Sequence, residues 1–251
     1  MADVKKPHFM LYTYDTPNGV KVSAYLEELK DVYGLTYEFH CMDLLSHEQK
    51  SDWFLKLNPN GRVPVLIDYA SVANGGKEFV VFESAAILLY LAENYDTQYK
   101  YHFSDPALRS ESLQWIFFSH GGIGPIQGQA HHFVRYAVDD IPYAKKRYLD
   151  ETKRLYGVLN TRLEGRDYLV GSGKGTYSIA DMNCVPWIRC WQWAGVDSIQ
   201  PFPNVIAWMA RIEARPAFQR GADVPFHAEL PKTEQEAKEK IEMNQIWQGL
   251  K

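Results

Sequence analysis

The sequence predicts two units of different class, an α/β unit ending near residue 95 and an all-α unit after it. From Phe9 to Cys41 a strand, an amphipathic helix and a second strand follow one another. A further strand pair and helix close at Tyr95, and residues 107–220 contain no convincing strand. The first of these is a βαβ unit, which implies a parallel pair joined by a right-handed crossover.

Phe9 to Thr13 is the first strand, broken by the turn residues Pro17, Asn18 and Gly19. Val22, Leu26, Leu29 and Tyr33 then recur at helical spacing, with Lys21, Glu27, Glu28 and Lys30 on the other faces and Gly34 as the stop. Tyr37 to Cys41 is the second strand, and after a polar stretch containing His47 a short helix spans Trp53 to Leu57. The loop Asn58, Pro59, Asn60, Gly61, Arg62 leads into Val63, Pro64, Val65, Leu66, Ile67. A Gly75–Gly76 turn makes a hairpin with Phe79 to Phe82. The helix from Ser84 to Tyr95 buries Ile87, Leu88 and Leu91.

The boundary falls within Tyr99 to Pro106. Trp115 and Phe118 suit a long buried helix that Gly121, Gly122, Gly124 and Pro125 bend or break. A second amphipathic helix carries Tyr148, Thr152, Leu155, Leu159 and Leu163. Ser178 and Asp181 match a capping box, with Tyr177 and Met182 placed as a hydrophobic staple, and the helix they start runs to about Trp193. Trp187, Trp191 and Trp193 are expected in the core. Asn204 to Ala214 forms a last helix, stopped by Pro216. The Glu- and Lys-rich tail after Pro225 is open to two readings, a surface helix or a loose end.

Composition narrows the function. Hydrophobic residues at 46% and charged residues at 23% of 251 are ordinary for a globular chain. No apolar run approaches the roughly 20 residues that cross a bilayer, and Met1 to His8 is short and polar, unlike a signal peptide. A cytoplasmic address is the expectation, with no membrane partner. The net charge of −4 and the scattered Lys and Arg give no footprint for nucleic acid. Cys41, Cys184 and Cys190 form no CxxC pair, which fits a reducing compartment. No GxGxxG, phosphate loop or GxSxG elbow occurs, and His131 and His132 are adjacent without metal-ligand spacing, so no metal is expected.

Three segments could carry chemistry. Pro64 stands directly before an apolar strand, where it cannot donate to a central ladder; it is either a trans strand-start proline or a cis proline that exposes main-chain groups to a ligand. Glu83 and Ser84 begin a helix, whose free N–H groups and positive dipole end suit a carboxylate, though Ser84 as a simple cap explains them equally. Thr16, Pro17 and Asn18 begin the first helix, where a thiolate would be stabilised and where an ordinary N-cap is the alternative.

In joint order and spacing these segments resemble the glutathione transferase superfamily over Phe9 to Phe218. Asn58 to Leu66 is similar to the family's cis-proline loop, Phe82 to Ile87 to its glutamyl-binding strand end, and Ser178 to Asp181 to its capping box. Thr16 to Gly19, Gly121 to Gln129 with His131, His132 and Phe133, and Ile141 to Tyr143 through Arg147 and Tyr148 are most similar to the Nu class and to relatives of the yeast nitrogen-catabolite regulator. The resemblance implies a thioredoxin-like α/β N-terminal domain over residues 7–97 that binds glutathione, an all-α C-terminal domain over 105–222, and a tail over 223–251.

It also implies roles. Thr16 and Asn18 would lie near the glutathione sulfur, Val63 beside Pro64 would pair with the cysteinyl moiety, Glu83 and Ser84 would hold the glutamyl end, and His47 would lie near the glycyl carboxylate. Arg147 would reach a site with help from a dimer partner. The implied activity is glutathione transfer, disulfide reduction or peroxidase chemistry on a small electrophile or disulfide, by a homodimer with glutathione as cosubstrate and no metal. The alternative is a non-catalytic glutathione-binding regulatory protein. The Asn- and Gln-rich arm of the yeast regulator is absent, and no cysteine stands at the first helix, so the nucleophile would be glutathione's own sulfur.

Overall fold

The computed structural model describes residues 7–226 and residues 238, 239, 241 and 242. Met1–Lys6 and most of the tail expected over 223–251 lie outside the described residues. Among those described, residues 7–100 with 216–226 make one compact unit and residues 101–215 the other.

In the first unit the chain runs β1 (Phe9–Thr13), α1 (Pro17–Tyr33), β2 (Tyr37–Cys41), α2 (Asp52–Leu55), β3 (Val65–Ser71), β4 (Lys77–Phe82) and α3 (Ser84–Tyr95). The sheet order is β2-β1-β3-β4, with β1 and β2 parallel and the other pairs antiparallel. β3 starts with four consecutive buried residues, Val65, Leu66, Ile67 and Asp68, as a strand covered on both faces must. Asp68 is tolerated there because the hydroxyls of Tyr90 and Tyr95 both donate to its Oδ2.

α1 departs from its sequence pattern. The expected start and stop are present, with Thr16 as N-cap, Pro17 in the first turn and Gly34 as a left-handed cap at φ 69°. The expected polar face is not: Lys21, Glu27 and Glu28 are 1%, 5% and 3% exposed. The reason is that two helices pack against α1, α3 with Ser84 beside Lys21 and α9 (Pro216–Ala222) with Arg220 beside Glu27, which amphipathic spacing in α1 alone does not reveal. The α1 and α9 backbones touch, since a Cβ on Gly221 would lie 2.4 Å from Ala24 Cα. Arg220 reaches back from α9 to Glu27 at 2.6 Å and to Asp31 at 2.7 Å, while Tyr37 donates to Glu27 at 2.9 Å. Pro216, expected only as a helix stop, also begins α9. The sequence reading carries the helical part to residue 222, whereas contacts group 216–226 with the α/β unit.

The second unit comprises α4 (Pro106–Phe118), α5 (Gly124–His131), α6 (Pro142–Arg162), α7 (Ile179–Arg189) and α8 (Pro203–Glu213). The glycines after α4 loosen the helix without breaking it, because Ser119–Ile123 and His132–Tyr136 are π-helical turns on either side of α5. Trp115 and Phe118 are only half-buried. α7 stops at Arg189, short of Trp193, and Trp187, Trp191 and Trp193 are half-buried, while Trp208 on α8 is fully buried. Trp187 lies across α5, where a Cβ on Gly124 would sit 3.1 Å from its indole nitrogen. The capping box at Ser178 forms, with Asp181 accepting from the Ser178 N–H at 3.0 Å.

Candidate functional site

The strand register gathers the candidate segments at one edge of the sheet. Val65 pairs with Tyr12 on one side and Phe82 on the other, and Thr13 pairs with Cys41. The ends of β1, β2 and β4 and the start of β3 therefore lie together. Thr16 and Asn18 follow β1, Pro64 precedes β3, Glu83 and Ser84 follow β4, and His47 lies beyond the end of β2.

At the first helix the side chain of Thr16 accepts from the Gly19 N–H at 3.0 Å. The N-cap reading is thus correct for Thr16, and it leaves a proton to give, because a hydroxyl that accepts through one lone pair can still donate. The position after Asn18 must be small: a Cβ on Gly19 would stand 2.5 Å from Thr13 Oγ1 and 2.6 Å from the Tyr14 carbonyl. Asn18 is half-buried within the first turn.

The Val63–Pro64 peptide is cis, the second of the two sequence readings. Its loop is held from within, since buried Asn58 donates to the Arg62 carbonyl at 2.8 Å and accepts from the Asn60 N–H at 3.0 Å. Gly61, at φ 58°, lies so close to the turn before α2 that a Cβ would be 2.8 Å from the Gln49 carbonyl. Among the described residues the Val63 main chain makes no hydrogen bond. A partner presenting its own N–H and C=O could pair there as a strand would.

The N-cap of α3 is Glu83, not Ser84. Glu83 adopts φ 71°, ψ 115° and makes no side-chain cap, a left-handed conformation that costs a non-glycine residue about 1 kcal/mol or more. Ser84 occupies the first helical position, buried, with its hydroxyl 3.5 Å from the Lys21 ammonium. Sequence pattern missed Lys21 by assigning it to a solvated face; the one available signal was its place one turn beyond Asn18.

Cys41 lies at the same sheet edge, at the end of β2. Partial burial and the Glu48 and Asp43 carboxylates push its thiol up, so it is not an activated nucleophile. His47 is exposed, in a left-handed turn at φ 59°. Arg147 is exposed on α6 of the helical unit, beside the charge of Glu151. His131 is buried, which pushes it down to about 4 and keeps it neutral, and the described residues contain no group of three or more His, Cys, Asp or Glu able to hold a metal. No helix among them is long and apolar enough to cross a membrane.

A mixed four-stranded sheet with a cis proline facing the starts of two helices, followed along the chain by an all-helical unit, defines a thioredoxin-like domain joined to a helical domain. The family model for the glutathione S-transferase N-terminal domain matches residues 8–93, and that for the C-terminal domain matches residues 132–216. The disulfide-bond oxidoreductase YfcG of Escherichia coli is 42% identical over 207 residues, covering 82% of this chain and 91% of that protein. This chain belongs to the glutathione S-transferase family. Among solved structures, a glutathione transferase homolog from Lodderomyces elongisporus with two glutathione molecules per subunit superposes with a TM-score of 0.79 at 39% identity, over 88% of this chain and 99% of that one. A glutathione transferase from Pseudomonas putida holding one glutathione disulfide per subunit gives 0.78 at 37% identity, over 89% and 94% of the two chains.

Proposed function

We propose that this chain is a glutathione-dependent disulfide reductase whose nucleophile is the sulfur of bound glutathione. The observation that carries it is the start of α1, where the Thr16 hydroxyl accepts from the Gly19 N–H and retains a proton to give, and where no cysteine is present. The thiolate is the attacking species, and a helix N-terminus lowers a thiol pKa by favouring it. Thr16 and Asn18 are assigned to the sulfur, Val63 and Pro64 to the cysteinyl backbone, Glu83 and Ser84 to the glutamyl end, His47 to the glycyl carboxylate, and Arg147 to a further glutathione contact made with help from a dimer partner.

In the reaction one glutathione thiolate attacks a sulfur of the disulfide, forming a mixed disulfide and releasing one thiolate, which takes up a proton. A second glutathione attacks the mixed disulfide, releasing the other thiol and leaving glutathione disulfide. The pair of glutathiones in the Lodderomyces homolog, the glutathione disulfide in the Pseudomonas one and the oxidoreductase name of YfcG support this over conjugation to an electrophile. Family likeness adds a homodimer, checked by sedimentation.

The test is glutathione-dependent reduction of hydroxyethyl disulfide, read by coupling the glutathione disulfide formed to glutathione reductase. Steady turnover is expected, and Asn18→Ala should lower kcat more than it raises KM, as loss of a group acting in the transition state does. Protein that binds glutathione yet turns over no disulfide would sink the proposal.

A further inference from the structure

We propose that Lys21 is a positioning residue for the glutamyl end of glutathione: it fixes the Ser84 hydroxyl with its proton turned toward the ligand's α-carboxylate and adds a cation to the positive end of α3. This deepens the glutathione reading of the site and rests on it. The inference starts from a buried contact between α1 and α3. Lys21 is 1% exposed, while Lys30 on the same helix has a half-exposed side chain. The Lys21 ammonium lies 3.5 Å from the Ser84 hydroxyl, 63 residues away in sequence and itself 3% exposed.

The chemistry of the pair has one direction. An ammonium group has three donors and no acceptor, so Ser84 Oγ must be the acceptor in any hydrogen bond between them. Its own proton is then free to go elsewhere, and a carboxylate is the acceptor that both the ammonium and the N-terminus of α3 favour. The 3.5 Å separation lies at the outer limit of a hydrogen bond. Placement agrees as well. Asn18 and Lys21 are three residues apart on α1, neighbours along one face with a rise of about 4.5 Å between them. A single helix would thus serve the sulfur of the ligand with one side chain and, through Ser84, its glutamyl carboxylate with the next.

The experiment compares two ligands, glutathione and its analogue 4-aminobutyryl-cysteinylglycine, which lacks only the glutamyl α-carboxylate, by titration calorimetry against wild type, Lys21→Met, Ser84→Ala and the double variant. Lys21→Met should weaken glutathione about tenfold and leave the analogue's affinity unchanged. The double variant should bind glutathione little worse than either single one, because the two residues act as a unit. A structural role alone would weaken both ligands together, and that outcome, or an unchanged glutathione affinity, overturns the proposal. Lys21→Leu, which likewise removes every donor, supplies the same comparison if Lys21→Met does not fold. The wild-type arm separates the two readings: if wild type binds no glutathione, the site assignment itself is wrong, whereas normal wild-type binding with an indifferent Lys21→Met rejects the role of Lys21 alone.

Discussion

Helices α7 and α3 meet the same problem at their first turns with opposite solutions. Each begins with free N–H groups and a positive dipole end. At α7 the protein fills the need itself: Asp181 accepts from the Ser178 and Leu169 N–H groups at 3.0 Å and from the Trp208 indole at 2.8 Å, all of it buried. At α3 the cap residue Glu83 makes no side-chain cap, holds a left-handed backbone, and is followed by a buried serine that an ammonium approaches. A helix start completed by its own chain is a fastening. The start of α3 is the one assigned above to the glutamyl end of glutathione.

That contrast can be broken at several points. The largest effect is expected at Asp181→Asn, where an amide replaces one acceptor oxygen with a donor facing N–H groups; stability should fall by roughly 2 to 4 kcal/mol in urea unfolding, with glutathione affinity of the folded fraction unchanged. Burial pushes Asp181 up to about 6 from an ordinary 3.8, against the pull of its donors Trp208, Leu169 and Ser178. The folded chain therefore keeps this proton more tightly than the unfolded chain. Its contribution is fully present below about pH 4 and is lost as pH rises through about 6, so the stability of wild type relative to Asp181→Asn should decline across that window and level above it.

Ser84→Ala should do the reverse. Glutathione should bind about 10- to 100-fold more weakly, the loss of a hydrogen bond to a charged group, while urea unfolding shifts by less than about 1 kcal/mol. Equal losses in stability and binding would abolish the distinction between the two helix starts. Thr16→Ala sits between them, since Thr16 both caps α1 and faces the expected sulfur. It should cost about 1 kcal/mol of stability and lower the disulfide reductase kcat, whereas Thr16→Ser should keep the cap and most of the rate. The smallest change is expected at exposed Arg147: Arg147→Ala should alter stability by no more than about 0.5 kcal/mol, with any effect confined to KM for glutathione.

Much of this was visible along the chain. Thr16, Pro17 and Gly34 bound α1 because caps, first-turn prolines and left-handed glycines act on neighbouring backbone groups. The capping box at Ser178 is local for the same reason, and the order of strands followed from runs of apolar residues with turns between them. Residues whose surroundings come from distant segments were misplaced. Lys21 and Glu27 have the spacing of a solvated face, but α3 brings Ser84 to Lys21, and α9, nearly 200 positions along the chain, gives Glu27 its partner Arg220. Trp187, Trp191 and Trp193 looked like core by type and are half-buried, while Trp208 is fully enclosed.

Sequence by itself determined the class of each unit and the starts of α1 and α7, because these depend on propensity, periodicity and hydrogen bonds between near neighbours. Tertiary structure alone decided that Glu83 and not Ser84 caps α3 and that a lysine lies buried against Ser84. Those outcomes depend on strand register and helix packing, which bring residues dozens of positions apart to one sheet edge; local pattern contains no term for that proximity.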